Sequence, residues 1–168
     1  RRNDRDGSYT HSALTEFQPR RTGEPVRYVV SGDPHMTTFL TADTHFGHAT
    51  MITGGPQRPF GTVDEMNEAL ITSWNAVVHP KDTVWHMGDF SMKLNGRATA
   101  DIFYQLNGRK HLIIGNHDVD NHGRLLPALE RLDWVSVSHA AEIQHDGQRI
   151  MLSHYAGYTW NCEHRGAY

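Results

Sequence analysis

Six side chains of metal-ligand type recur at the ends of short apolar runs: Asp43 and His45, Asp89, Asn116 and His117, and His154. In Asp43-Thr44-His45 the first and third side chains project to one side of an extended backbone, because side chains alternate with period two. A carboxylate and an imidazole placed that way suit one divalent metal. Asp89 follows Gly88, where glycine allows close backbone approach, and the two oxygens of a carboxylate can bridge two metals. Asn116 adds a neutral amide oxygen and His154 a further imidazole. His117 reaches the same place without needing to bind metal, and an imidazole there can protonate a leaving oxygen as general acid. Taken singly, each residue reads better as ordinary structure, Asp89 as a turn former and His154 as a hydrogen-bonded core histidine. At four successive strand ends they read together as a metal site.

The elements that must position these residues are legible as hydrophobic periodicity. Thr37 to Ala42 reads as a strand leading into Asp43, and Asp82 to Met87 as one leading into Gly88-Asp89. His111 to Ile114 leads into Gly115-Asn116-His117-Asp118, and Arg149 to Leu152 into Ser153-His154. Thr62 and Glu65 form a capping box, after which Val63, Met66, Leu70, Trp74 and Val77 repeat at helical spacing until His79-Pro80. Ala98, Ile102 and Leu106 mark a second amphipathic helix closed by Asn107-Gly108. Leu125 to Leu132 is a weaker helix because it contains Pro127. Asp146-Gly147 marks a hairpin turn, and a Gly/Pro loop runs from Gly54 to Phe60. Alternating strands and helices predict an α/β or mixed fold, with polar residues at strand ends where such folds place active sites.

Composition narrows the chemistry. With one cysteine, Cys162, in 168 residues, an intrachain disulfide and a cysteine-based zinc site are both excluded, whereas thirteen histidines favour nitrogen and oxygen ligands. That cysteine usage and the lack of a signal-like start fit a reducing, cytoplasmic setting, and no apolar run approaches membrane-spanning length. Residues 1–27 carry a balance of +2 and the remainder −5. Residues 1–35 therefore read as an Arg-rich extension, with Val26 to Val30 its only strand, and 36–168 as the folded domain. The net charge of −3 offers no strong footprint for duplex nucleic acid.

The strings Thr41-Ala42-Asp43-Thr44-His45-Phe46-Gly47-His48, Gly88-Asp89-Phe90, Gly115-Asn116-His117-Asp118 and Leu152-Ser153-His154-Tyr155 resemble, in order and spacing, the calcineurin-like metallophosphoesterases, closest to the small bacterial and phage members. The resemblance covers the chain from about Met36 onward. It implies a two-sheet β-sandwich flanked by helices, of α/β (α+β) class, with a dinuclear metal centre at the strand ends. Asp43 and His45 would bind the first ion, Asp89 would bridge, and Asn116 and His154 would bind the second. His117 would act on the substrate, with Asp118 as one candidate to orient it. Phe90-Ser91 stands where some members carry an Asp-Arg pair. The closing Gly-His-x-His of the family is absent, which leads to the expectation that the native chain continues past Tyr168 into further strands.

The implied activity is hydrolysis of a phosphate monoester or diester. Two divalent ions, Mn, Fe, Zn or Ni, would polarise the phosphoryl group and activate water, while His117 protonates the leaving oxygen. Arg58 reads either as a bidentate phosphate contact or as a surface arginine, and His48 as a substrate contact or a support for a metal ligand. The rival class is a fold of this kind kept as a binding or scaffolding module. A nuclease rests only on the basic first 27 residues, against the acidity of the rest.

Overall fold

The computed structural model describes residues 26–29, 36–54, 58–145, 147–161 and 163–168. Most of the Arg-rich extension, Asp146 of the expected turn and Cys162 lie outside these residues. Chain order is β1 (Val26–Val29), β2 (Thr38–Thr41), α1 (Thr50–Thr53), α2 (Val63–Val77), β3 (Thr83–His86) and α3 (Gly96–Gln105). There follow β4 (Arg109–Ile113), α4 (Pro127–Glu130), β5 (Ser136–Ser138), β6 (Ala140–His145), β7 (Gln148–Ser153) and a short 3-10 turn at Glu163–Arg165.

The fold is mixed α/β. Strands β2-β3-β4-β5 form a parallel sheet, so the chain leaves β2, β3 and β4 at the same edge and delivers three of the four ligand-bearing segments there. A second sheet has the order β1-β6-β7, with β1 parallel to β6 and β6 antiparallel to β7. The second sheet thus draws one strand from the segment before Met36.

A parallel strand covered on both faces must be apolar throughout, and β3 is buried along its whole length. Val84 enters a cluster with Trp74 of α2, Ile102 and Phe103 of α3, and Leu129 of α4. Trp85, one residue on, faces the other way and packs with Ile113, Ala141, Ile143 and Leu152, which joins the two sheets. Full burial of such side chains contributes about 1.5–3 kcal/mol each. The helices therefore lie on one face of the parallel sheet and the second sheet on the other.

Helix starts follow local chemistry. Thr62 accepts from the Glu65 amide at 3.1 Å, and the Glu65 carboxylate reaches back to the Gly61 amide at 2.9 Å. Asn95, which periodicity alone did not single out, caps α3 by accepting from the Ala98 amide at 2.9 Å. At the far end of α3, Lys110 Nζ donates to the Leu106 and Gly108 carbonyls at 2.6 and 3.1 Å, a cation at a helix C-terminus. The helix expected over Leu125 to Leu132 is a single turn. Proline lacks an amide hydrogen and is tolerated at the first helical position, so α4 begins at Pro127. Helix α1, inside no periodic run, was not anticipated.

Two histidines are buried in this framework. His86 donates from Nε2 to Thr44 Oγ1 at 2.9 Å, because that hydroxyl spends its proton on the Phe90 carbonyl at 2.8 Å. His111 stacks on Trp85 with ring centroids 4.1 Å apart and bonds Ser136 Oγ at 2.7 Å. Burial pushes His86 down to about 3, aided by repulsion from His45 and His154, and His111 down to about 4, aided by Arg109. Both rings stay neutral in the folded chain while the unfolded chain takes up protons below about 6.5. Stability is therefore full above that pH and falls as the pH drops toward 4, at up to ~1.4 kcal/mol per pH unit for each ring. Urea unfolding at pH 7 and pH 5 should show this loss. His111→Phe, which preserves the stack, should flatten part of it, and an unchanged slope in that variant would contradict the assignment.

Candidate metal centre

The backbone at the C-terminal ends of β2 and β3 leaves the extended region. Asp43, His45 and Asp89 have φ of 54°, 50° and 60°. Left-handed backbone is uncommon outside glycine, though aspartate and histidine tolerate it better than most. Cross-strand hydrogen bonds continue through the bend: the Asp43, His45 and Phe46 amides donate to the Gly88, Asp89 and Phe90 carbonyls at 2.9, 3.0 and 3.0 Å. Asp43 and His45 do end on the same side, with His45 Nε2 3.5 Å from Asp43 Oδ1. The cause is two left-handed residues flanking the buried Thr44, and the extended alternation expected from the sequence is corrected accordingly.

Asp89 is the hub. It is 3% exposed, and its Oδ1 accepts the His117 amide at 2.8 Å. Around the carboxylate stand His45 Nε2 at 3.6 Å, His154 Nε2 at 3.8 Å and His117 Nε2 at 3.9 Å. These separations are too long for hydrogen bonds. They are slightly wider than the ~3.0–3.4 Å between two ligands that each sit ~2.1 Å from one ion. Ligand atoms of Asp43, Asp89 and His154 lie within 4.8 Å of one another, and so do those of His45, Asp89 and His117. Asp89 belongs to both groups. The grouping sets Asp43 with His154, where the resemblance pairs Asp43 with His45, and it brings His117 within ligand range.

The His154 tautomer points its lone pair inward. His154 Nδ1 lies 2.8 Å from the Met87 carbonyl, which can only accept, so Nδ1 carries the proton. A neutral His154 then presents a bare Nε2 to Asn116 Oδ1 at 3.1 Å and to Asp89 Oδ1 at 3.8 Å. Facing acceptors need a cation between them, either a proton or a metal. Asn116 Oδ1 also accepts from the Tyr155 hydroxyl at 3.1 Å. On the other side, His45 Nδ1 and His48 Nδ1 are 3.1 Å apart, and His48 Nε2 meets Thr50 Oγ1. Protonation of His45 Nδ1 and His48 Nε2 satisfies both contacts and frees His45 Nε2 for the site. Burial holds both imidazoles below their ordinary value; for His45 it outweighs the opposing Asp89 carboxylate, and for His48 the neighbouring His45 adds to it.

Of the two readings of His48, the contacts match support of a ligand: both ring nitrogens are occupied and the residue is buried. Arg58 is not a free surface arginine. Its Nη1 and Nη2 donate to the Thr44 and Asp43 carbonyls at 2.7 and 2.6 Å. Asp118 is not bonded to the His117 ring. Its Oδ2 accepts the Asp89 and Gly115 amides at 2.8 Å each, and its Oδ1 the Phe90 amide at 2.9 Å, which ties the second and third motifs together. Glycine is required at both contact points, since a Cβ on Gly115 would overlap the Asp89 carboxylate and one on Gly88 the His154 ring. Sequence reasoning missed Thr44 and Tyr155, whose hydroxyls serve the site only through the folded geometry.

No family model matches the chain. The uncharacterized protein MJ1445 of Methanocaldococcus jannaschii is 43% identical over 81 residues, which is 48% of this chain and 46% of that protein. The gene 66 protein of Mycobacterium phage D29 is 33% identical over 129 residues, 70% of this chain and 62% of that protein; its counterpart in phage L5 is 35% identical over 86 residues, 48% and 39%. The chain thus spans about half the length of these relatives. Among solved structures, the protein of unknown function AQ665 from Aquifex aeolicus aligns with a TM-score of 0.59 at 32% identity, over 72% of this chain and 61% of that one.

Among the described residues the Asp118 carboxylate is the partner of three buried backbone amides, and an unsatisfied buried donor costs about 1–3 kcal/mol. Asp118→Ala should therefore lower the unfolding free energy by about 3 kcal/mol or more, with Asp118→Asn losing less because one oxygen remains. Denaturant unfolding measures both, and a loss in Asp118→Ala no larger than that of a surface substitution would remove the carboxylate from this role.

Proposed function

We propose that the chain is a calcineurin-like metallophosphoesterase domain that hydrolyses a phosphate monoester or diester at a dinuclear centre. One observation carries the reading. Asp89 is buried, is shared by two ligand groups, and faces three imidazole nitrogens, of which His154 Nε2 turns a lone pair toward it. The two packed sheets with helices on one face agree with the fold that the resemblance implies. Left-handed backbone at three of the four non-glycine positions where it occurs among the described residues falls on Asp43, His45 and Asp89, and such strain concentrates at functional sites.

In this reading Asp43, His45, Asp89, Asn116 and His154 hold two divalent ions of Mn, Fe, Zn or Ni type, with Asp89 serving both. When bound, such ions supply charge that polarises a phosphoryl group and acidifies water. His117 stands over the site with its side chain one-third exposed, and its ring lies 5.3 Å from that of His45. A proton on its ring nitrogen can pass to the oxygen that leaves phosphorus. Asp89 Oδ2 stands 3.9 Å from His117 Nε2, beyond hydrogen-bond distance.

Activity on an aryl phosphodiester and on an alkyl one separates proton donation from ligation. His117→Ala should keep nearly all bound metal and lose roughly 10²–10⁴-fold in turnover. The loss should be smaller on the aryl ester, whose leaving group needs little protonation. Equal losses on both esters, accompanied by loss of metal, would make His117 a ligand; no hydrolysis by the unaltered chain loaded with any of the four metals would remove the phosphoesterase reading.

A further inference from the structure

Arg58 holds two consecutive backbone carbonyls, those of Asp43 and Thr44, with the two terminal nitrogens of one guanidinium. In extended backbone, consecutive carbonyls point to opposite sides of the strand, so a single side chain could reach only one. Both are reached here, so the chain has left the extended form at Thr44, whose torsions lie between the two carbonyls and which left-handed Asp43 and His45 flank. The arginine is itself held in place, its amide donating to the Met51 carbonyl at 2.8 Å and Nη1 lying 3.7 Å from Met66 Sδ. The planar fork therefore recognises the bent form of the β2–α1 segment, and the ordinary extended form would lose one of its two bonds.

We infer that Arg58 is a positioning residue for metal binding: by bracing the Asp43 and Thr44 carbonyls it fixes the Asp43 carboxylate over the group it forms with Asp89 and His154. The inference rests on the metal-centre reading above. It places Arg58 behind the ligands and away from the substrate phosphate. It also makes the effect one-sided. The group containing His45 has its own support in His48 and Thr50, whereas the Asp43 side chain is 57% exposed and, among the described residues, makes no hydrogen bond, its carboxylate standing 3.5 Å from His45 Nε2. Loss of Arg58 removes the brace behind Asp43 and lets its carboxylate shift from the shared centre.

The test is titration of the metal-free chain with Mn²⁺, followed by calorimetry and by electron paramagnetic resonance of free Mn²⁺, on the parent, R58M and R58K. R58M retains the apolar stem against Met66 and removes the fork. It should weaken one of two Mn²⁺ affinities by roughly 10–100-fold, the usual effect of losing a residue that orients a ligand, and leave the other unchanged. R58K keeps the charge without the planar fork and should fall between the parent and R58M. If R58M fails to fold, R58K alone decides: weakening at one site supports the inference and parent-like affinity at both overturns it. Unchanged Mn²⁺ affinities in R58M with a raised KM would make Arg58 a substrate contact and overturn it. Equal weakening at both sites with a lowered melting temperature would show a general structural role and overturn it too. A parent chain that binds no Mn²⁺ at all would bring down the metal-centre reading, a result distinct from any failure at Arg58.

Discussion

A carboxylate withdrawn from water loses several kcal/mol of hydration, and Asp89 is withdrawn almost completely, with a single backbone amide as its close donor among the described residues. What surrounds it otherwise are imidazole nitrogens at 3.6–3.9 Å, too far to donate well and oriented so that at least His154 offers a lone pair. A buried anion in that setting is compensated only by positive charge placed among the nitrogens. Protons can supply it, but burial already opposes a charged His45. Metal ions would supply it without protonating the rings, and each of the two groups that share Asp89 could hold one.

Around that charge the chain is held in backbone conformations it would not choose alone. A left-handed residue other than glycine costs roughly 1–2 kcal/mol, and three stand within the two loops that carry Asp43, His45 and Asp89. The opposing contacts are specific. The β2–β3 ladder continues past both strand ends, Thr44 anchors on the Phe90 carbonyl, Arg58 grips the first loop, and Asp118 gathers three amides of the second and third. Beneath them, Phe46 and Phe90 pack into the helix-side core, so the loops rest on side chains buried as deeply as those of the strands. The site is thus an extension of the parallel sheet, and its rigidity comes from the packing below it.

Much of this arrangement was legible in the sequence because it follows from period and register. Parallel strands that run apolar into Asp43, Asp89 and Asn116 must deliver those residues to one edge, whatever the details of the loops. The Thr62 cap and the stripe from Val63 to Val77 likewise located α2. What could not be read is whatever depends on φ. Asp-Thr-His looks the same whether extended or left-handed, so the convergence of Asp43 and His45 was expected for the wrong reason. Arg58 read either as a phosphate contact or as a surface arginine, and Asp118 as one candidate to orient His117, because side-chain chemistry alone does not choose a partner; folded, both bind backbone. Pro127 looked like a flaw in a long helix and is the start of a short one. The strand at Val26 was read, yet its pairing with β6 was not, since nothing local in four residues names a partner 115 positions away.

The central claim is that the Asp89 carboxylate joins two cations. Electron paramagnetic resonance of the chain saturated with Mn²⁺ tests it most directly, because two Mn²⁺ ions bridged by one carboxylate couple magnetically and single ions do not. The account predicts two bound Mn²⁺ per chain with a coupled spectrum, reduced in Asp89→Asn to at most one ion with an isolated six-line signal. An isolated signal in the parent at every Mn²⁺ concentration, or a coupled spectrum that survives Asp89→Asn, would contradict it.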